Sequence, residues 1–107
     1  MQLDPRYDRQ VTRVSAAEAA ALVGDGMAVL DVRTPAEWEE VRLADSTHVP
    51  MQEIVARLDE VPDRVICVCA VGARSAQVAD YITRQGREAV NLDGGIQAWL
   101  AEGRPVA

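Results

Sequence analysis

Short apolar runs alternate with segments of helical character along this chain, and glycines and prolines separate many of them. Five runs predict β-strands because each is short, largely apolar or rich in β-branched residues, and flanked by turn-forming residues. These runs are VTRV (11–14), MAVLDV (27–32), STHVP (46–50), RVICV (64–68) and EAVNL (88–92). The run at 64–68 is the most apolar, which indicates a central strand that is buried on both faces.

Helices are predicted in the segments between and after these strands. Ser15 followed by Glu18 is typical of a capping box, and Thr34, Pro35 and Glu37 form a second strong helix start. The other helices are predicted from apolar spacing and from glycines at their ends. The predicted helices cover 16–23, 35–41, 51–61, 75–86 and 94–103.

This alternation predicts an α/β fold of three layers, in which helices cover both faces of a mostly parallel sheet. The length of 107 residues suits a single domain, which we expect at residues 11–107 after an N-terminal extension at residues 1–10. In such sheets, ligands bind beyond the carboxyl ends of the strands. Cys69 follows the most apolar strand at that edge, which makes it a candidate for chemistry.

The charge of the chain argues against two classes of partner. Its 17 acidic and 11 basic residues give a net charge of −6, and the arginines are scattered. Nucleic acid and anionic membranes are bound by clustered basic faces, so we expect neither partner. The first ten residues contain no apolar stretch, and no apolar run approaches the roughly 20 residues of a membrane span. We therefore expect a cytoplasmic protein.

Cys67 and Cys69 are the two cysteines, and one residue separates them. This spacing is poor for a relaxed disulfide, and free or reactive thiols are favoured in a reducing compartment.

A structural metal site usually needs four ligands, and the only histidine is His48, so we expect no metal. Cys67 is interpreted as a buried thiol, with a resolving role toward Cys69 as the alternative. His48 is interpreted as a strand-end residue bonded to backbone rather than as a general base, and Trp38 and Trp99 as core residues.

The stretch CVCAVGARSAQ (67–77) has the features of an anion-binding loop. Residues 70–73 are small or apolar, so the backbone can curl and direct successive N–H groups inward. Gly72 permits backbone angles that a side chain would forbid. The helix that follows directs the positive end of its dipole at the centre of the loop, and Arg74 adds a positive charge. Because a thiol reacts as its thiolate, this cradle would favour the reactive form of Cys69. The alternative is that Cys69 is a small apolar residue at the end of a strand.

Three motifs, in this order and spacing, resemble those of the rhodanese homology domain, a sulfurtransferase module, over about residues 11–104. LDVRTPAEWEE (30–40) is similar to the first signature, in which an aspartate and an arginine leave a strand before a capped helix. CAVGARSAQVA (69–79) is similar to the active loop, with four residues between the cysteine and Arg-Ser. NLDGGIQAW (91–99) is similar to the closing Gly-Gly turn and its helix.

The resemblance implies a parallel sheet of those five strands in the order 1-5-4-2-3, with Cys69 as the nucleophile. Cys69 would take a sulfane sulfur from thiosulfate or a persulfide, hold it as a persulfide, and pass it to a thiol or cyanide. Asp31 and Arg33 would brace the active edge, with direct contact to substrate as the alternative. The implied substrate-binding residues are Ala70, Val71, Gly72, Ala73, Arg74 and Ser75.

The implied partners are a small sulfur donor and a thiol acceptor, and a sulfur-relay or thioredoxin-like protein is a candidate acceptor. The resemblance requires no cofactor, and we expect a monomer.

Loop length and charge refine this interpretation. Related phosphatases need five residues between cysteine and arginine, whereas four separate Cys69 from Arg74, which argues against phosphate chemistry. The family often has a basic residue after the cysteine, whereas Ala70 and Ala73 are both neutral here. We therefore expect thiosulfate to bind weakly, and a persulfide or a protein-delivered sulfur to be the better donor. Two alternatives stay open. One is a binding or regulatory module that turns over poorly, and the other is thiol redox or arsenate-type reduction, which a Cys67–Cys69 disulfide would favour.

Overall fold

A sheet of five parallel strands lies at the centre of the computed structural model, which describes residues 11–107. The strands are β1 (Thr12–Val14), β2 (Ala28–Asp31), β3 (Thr47–His48), β4 (Arg64–Val68) and β5 (Glu88–Leu92). Their order is β1-β5-β4-β2-β3, with every neighbouring pair parallel, so the predicted order and the central position of β4 are confirmed. The predicted N-terminal extension lies outside the described residues.

The α-helices of the described residues are α1 (Ala16–Gly24), α2 (Pro35–Glu40), α3 (Ala73–Arg84) and α4 (Gly95–Ala101). The predicted capping box is present, because Ser15 and Glu18 bond each other's backbone N–H groups, and the predicted helix start at Thr34 and Glu37 forms a second capping box in the same way. These reciprocal bonds satisfy donors that a helix start leaves without partners. None of the described helices is long and apolar enough to cross a bilayer.

Two apolar layers cover the faces of the sheet, which confirms the predicted α/β/α architecture. Residues alternate between the faces along β4, so Val65 and Cys67 join one layer, and Ile66 and Val68 join the other. The first layer includes buried side chains of α3 and of the segment that precedes β4. The second layer includes those of α1 and α4. Burial on both faces explains why β4 is the most apolar strand.

The helix predicted at 51–61 is wrong. This segment forms two short 3₁₀ helices, Met51–Glu53 and Leu58–Glu60, joined by turns. Ile54 is fully buried, whereas the neighbouring Val55 is 59% exposed. Two consecutive β-branched residues lower helix propensity, and the burial of Ile54 against the sheet decides the path of the chain instead.

The helix after the predicted active loop begins at Ala73, earlier than the predicted start at Ser75. Gly72 precedes it with φ +100°, a left-handed conformation that favours glycine. Arg74 and Ser75 therefore lie in the first turn of α3, where backbone N–H groups have no partner within the helix.

The turn between β5 and α4 packs against the loop that follows β4. The N–H of Ile96 donates to the carbonyl of Cys69 at 2.9 Å, and that of Gln97 donates to the carbonyl of Ala70 at 3.1 Å. Gly95 has φ +60°, and a Cβ atom at this position would lie 2.4 Å from the carbonyl oxygen of Cys69. The turn therefore needs glycine at this position to hold the loop.

We predict that Gly95→Ala destabilises the protein more than Gly103→Ala. The two glycines have similar left-handed angles, +60° and +68°, so each alanine costs about 1–2 kcal/mol in backbone strain. A Cβ atom at Gly103 would meet nothing within 4 Å, whereas one at Gly95 would clash with backbone. Urea denaturation should show at least about 2 kcal/mol of additional loss for Gly95→Ala. Equal losses in the two variants would contradict the close packing of the turn against the loop.

Candidate active site

The carboxyl ends of β2, β4 and β5 meet at one edge of the sheet. Cys69 directly follows β4, Asp31 is the last residue of β2, and Asn91 lies one residue before the end of β5. Asp31 pairs in register with Val68, and Asn91 pairs with Cys67. Parallel pairing therefore brings three polar or reactive side chains from distant parts of the sequence to the same edge.

Two backbone N–H groups donate to the sulfur of Cys69, and a side-chain hydroxyl whose hydrogen is directed to Asn91 lies beside it. The N–H of Gly72 lies 3.1 Å from Sγ, the N–H of Ser75 lies 3.4 Å away, and the hydroxyl of Ser75 lies 3.3 Å away. The donors come from the left-handed glycine before α3 and from the first turn of that helix. Such a set of inward-directed groups is suited to hold a thiolate or an anionic persulfide.

The other predicted loop residues take different positions. Val71 is 56% exposed at the tip of the loop, and Ala73 is exposed at the start of α3. Ala70 is half-buried, and its carbonyl accepts the hydrogen bond from Gln97. Among the residues predicted to bind substrate, Gly72 and Ser75 are the ones whose donors reach the sulfur.

Cys69 is completely enclosed, with 0% of its surface exposed. The residue belongs to the apolar layer of the α3 face, although Gly72 and Ser75 surround its sulfur with polar hydrogens. A sulfur-donating substrate therefore cannot contact the Cys69 sulfur in this conformation. Any reaction at Cys69 therefore requires a local opening of the loop.

Arg74 forms an ion pair with Glu37 of α2. Its two terminal nitrogens donate to the two carboxylate oxygens at 2.8 and 2.9 Å. Hydrogen bonding from Arg74 lowers the pKa of Glu37 from 4.5 to about 2, with the bonds from Thr34 acting in the same direction and desolvation opposing them. The same interaction raises the pKa of Arg74.

Asp31 and Arg33 form a second ion pair, which is buried. The Nη2 and Nε atoms of Arg33 lie 2.7 and 3.0 Å from the carboxylate oxygen Oδ2 of Asp31. Arg33 also donates to the carbonyls of Glu37 and Val41 at 3.2 and 2.5 Å. These contacts tie the end of β2 to the end of α2.

His48 and Trp38 extend this arrangement. The Nε2 atom of His48 lies 2.7 Å from the carbonyl oxygen of Arg33, and its ring stacks on Trp38 with centroids 4.6 Å apart. Trp38 is half-buried rather than a core residue, because its ring is sandwiched between His48 and the guanidinium of Arg42. Trp99 is a core residue, as predicted.

Cys67 is a free, fully buried thiol on the same face of β4 as Cys69. Burial, and to a smaller extent the neighbouring Cys69, raises the pKa of the Cys67 thiol, so it remains protonated in this position. Within residues 11–107, no cluster of three or more histidine, cysteine or carboxylate side chains could hold a metal ion.

Two residues at this edge were not predicted as site residues. Asn91 is buried; its Nδ2 donates to the carbonyl of Gly72 at 3.0 Å, and its Oδ1 accepts from the hydroxyl of Ser75 at 2.5 Å. Asn91 therefore contacts both residues that surround the sulfur. The sequence feature that could have identified it is a polar side chain inside the largely apolar strand EAVNL. Glu37 was predicted only as a capping residue, and no sequence signal links it to Arg74.

The sequence profile of the rhodanese-like domain matches residues 15–102, which is most of the chain. The chain belongs to the rhodanese-like domain family. A solved structure of a rhodanese-related protein from Thermoplasma volcanium shares the fold with a TM-score of 0.84 and 31% identity, over 90% of this chain and 97% of that one.

Curated relatives of this rhodanese-like domain include sulfurtransferases. A protein named sulfurtransferase from Allochromatium vinosum is 43% identical over 81 residues, which cover 73% of this chain and 76% of the relative. The thiosulfate sulfurtransferase GlpE of Pseudomonas syringae pv. syringae is 30% identical over 90 residues, which cover 81% of this chain and 85% of the relative. The protein is thus a rhodanese-type sulfurtransferase.

We predict that the stability contributed by Glu37 to this rhodanese-like domain is lost in acid. Its folded-state pKa of about 2 lies below the ordinary 4.5, so the stabilisation is fully present above about pH 4.5 and disappears as the pH falls toward 2. The difference in free energy of unfolding between wild type and Glu37→Gln should be constant from about pH 7 to pH 5 and shrink below that, as measured by urea denaturation.

Glu39→Gln is the matched control, because Glu39 is an exposed carboxylate of the same helix. At pH 7 it should cost less stability than Glu37→Gln, because it does not remove the ion pair with Arg74. A pH-independent difference for Glu37→Gln would contradict the assigned ion pair with Arg74.

Proposed function

We propose that this sulfurtransferase moves a sulfane sulfur from thiosulfate or a persulfide to a thiol or cyanide through a persulfide on Cys69. The observation that carries the proposal is the convergence of the backbone N–H groups of Gly72 and Ser75 on the Cys69 sulfur at the carboxyl end of the central strand. Donors fixed before the reaction stabilise developing negative charge without the cost of reorganising solvent.

The first half-reaction loads the cysteine. The Cys69 thiolate attacks the outer sulfur of the donor, a new S–S bond forms, and the S–S bond within the donor breaks. The electron pair of the broken bond leaves with sulfite when thiosulfate is the donor, and with a thiolate when a persulfide is the donor. The hydrogen bonds from Gly72 and Ser75 stabilise the thiolate before attack.

The second half-reaction returns the enzyme to its starting state. An acceptor thiolate attacks the outer sulfur of the Cys69 persulfide, and the electron pair of the breaking S–S bond returns to Cys69. The acceptor leaves as a persulfide, or as thiocyanate when it is cyanide. No external oxidant or reductant is consumed, because each step exchanges one S–S bond for another or for an S–C bond.

Access to the sulfur requires movement of the loop, since Cys69 has no exposed surface. The exposed tip at Val71 is the part of the loop that solvent reaches, whereas the carbonyls of Cys69 and Ala70 are held by Ile96 and Gln97. We therefore infer that opening occurs at the tip, between residues 70 and 72, while α3 and α4 stay in place. Displacement of only a few residues keeps the donors of Ser75 available to the persulfide.

We predict that incubation with thiosulfate or with cysteine persulfide adds about 32 Da, the mass of one sulfur atom, to the intact protein. Cys69→Ala should lose this adduct completely. Cys67→Ala is the matched control, because it removes the other buried thiol and should keep the adduct. Intact-mass spectrometry without reductant, before and after addition of cyanide, measures both loading and release.

An adduct that persists in Cys69→Ala would assign the chemistry to another residue. A wild-type protein that gains no sulfur from either donor would contradict transfer through Cys69 and favour a binding role for the site.

A further inference from the structure

The ion pair between Glu37 and Arg74 is a charged feature of the active edge that the two half-reactions do not use. We propose that Glu37 is a specificity-determining residue: its carboxylate neutralises Arg74 and thereby disfavours dianionic sulfur donors relative to monoanionic ones. This inference rests on the proposed transfer through Cys69, and it concerns which donors load the cysteine.

Arg74 is the only charged residue of the loop between Cys69 and the first turn of α3. Left alone, its guanidinium would attract an anionic donor. Instead, the carboxylate of Glu37 accepts from both of its terminal nitrogens, at 2.8 and 2.9 Å, in a bidentate pair. Such a pair is strong and directional, so the positive and negative charges act on a donor as a nearly neutral unit.

Glu37 is fixed in place independently of Arg74. Its Oε1 accepts from the backbone N–H and from the hydroxyl of Thr34, both at 3.1 Å, within the capping box of α2. The carboxylate is therefore already oriented by α2 when Arg74 approaches it. A pair with one preorganised member loses less side-chain entropy on forming than a pair of two free side chains.

The paired charges lie near the sulfur, because Arg74 directly precedes Ser75, whose N–H lies 3.4 Å from the Sγ atom of Cys69. The pKa of Arg74 is raised chiefly by its hydrogen bonds to Glu37, and further by the negative charges of Cys69 and Asp31. The side chains of Arg74 and Glu37 are 35% and 32% exposed, so their fields are only partly screened by water.

The second arginine near this edge is neutralised in the same way. Arg33 is buried against Asp31, with Nη2 and Oδ2 2.7 Å apart. The two pairs add no net charge to this edge of the sheet. The neutral residues Ala70 and Ala73 add none.

The charge of the sulfur donor then determines how readily it loads Cys69. Thiosulfate carries two negative charges and approaches a site whose Arg33 and Arg74 are already paired with carboxylates, within a protein of net charge −6. Removing the carboxylate of Glu37 adds one unit of positive potential. The resulting gain in free energy is proportional to donor charge, so a dianion should gain twice as much, in logarithmic terms, as a monoanion.

The test compares thiosulfate with an aromatic thiosulfonate, a monoanionic donor whose sulfinate group leaves as sulfite does. Cyanide serves as the acceptor, and kcat/KM for the donor reports the loading half-reaction alone because the mechanism is a double displacement. For Glu37→Gln at low salt, kcat/KM should rise about three- to tenfold for thiosulfate and about two- to threefold for the thiosulfonate. Added salt should reduce both gains.

Glutamine keeps the polar oxygen that the capping box requires, so Glu37→Gln is expected to preserve α2. Glu39→Gln removes the same charge from an exposed position of α2 and should leave the ratio of the two kcat/KM values unchanged. Arg74→Gln leaves Glu37 unpaired and should lower the thiosulfate-to-thiosulfonate ratio. The double variant Glu37→Gln/Arg74→Gln should return the ratio to that of wild type, since neither charge remains.

The ratio of kcat/KM for thiosulfate to that for the thiosulfonate distinguishes an electrostatic effect from structural damage, because a damaged site loses activity with both sulfur donors alike. An unchanged ratio in Glu37→Gln, or a ratio lowered by both single substitutions, would overturn the proposal. Absence of loading with every donor in the wild-type protein would instead remove the proposed transfer through Cys69, so the two failures are distinguishable.

Discussion

The hydrogen bonds that converge on the Cys69 sulfur are the interaction on which the rest of this site depends. They exist because Gly72 adopts a left-handed conformation, with φ +100°, immediately before α3 begins. This conformation turns its own N–H toward the sulfur and allows the first turn of the helix to direct Ser75 to the same point. The sheet contributes by presenting Cys69 at the carboxyl end of its central strand, where parallel α/β sheets place their ligands.

The neighbouring strand β5 and the turn after it keep this geometry in place. Asn91 bonds both the carbonyl of Gly72 and the hydroxyl of Ser75, and the start of α4 bonds the carbonyls of Cys69 and Ala70. The amide orientation of Asn91 follows from its partners, because a carbonyl oxygen accepts only and the opposite orientation would place two acceptors together. The loop is thus bound to the sheet at its ends, while its tip remains exposed.

The electrostatics of the edge differ from the expectation that the loop carries one free positive charge. Arg74 was correctly placed beside the active loop by its spacing from Cys69, but its charge is paired with Glu37. The spacing between Cys69 and Arg74 predicts where the arginine side chain begins but not its partner, since Glu37 lies 37 positions away in the sequence. The buried pair of Asp31 and Arg33 was easier to anticipate, because both residues leave the same strand and lie two positions apart.

Local chemistry alone determined much of this protein: the alternation of strands and helices, the capping boxes of α1 and α2, and the small-residue loop after the apolar strand β4. Each of these features depends on interactions between residues that are close in the sequence, so it can be predicted without the tertiary structure. Tertiary structure decided the 3₁₀ segments at 51–61, where burial of Ile54 outweighs helix propensity. It also decided the roles of Asn91 and Glu37, because hydrogen bonds and ion pairs between distant residues form only after the sheet and helices bring them together.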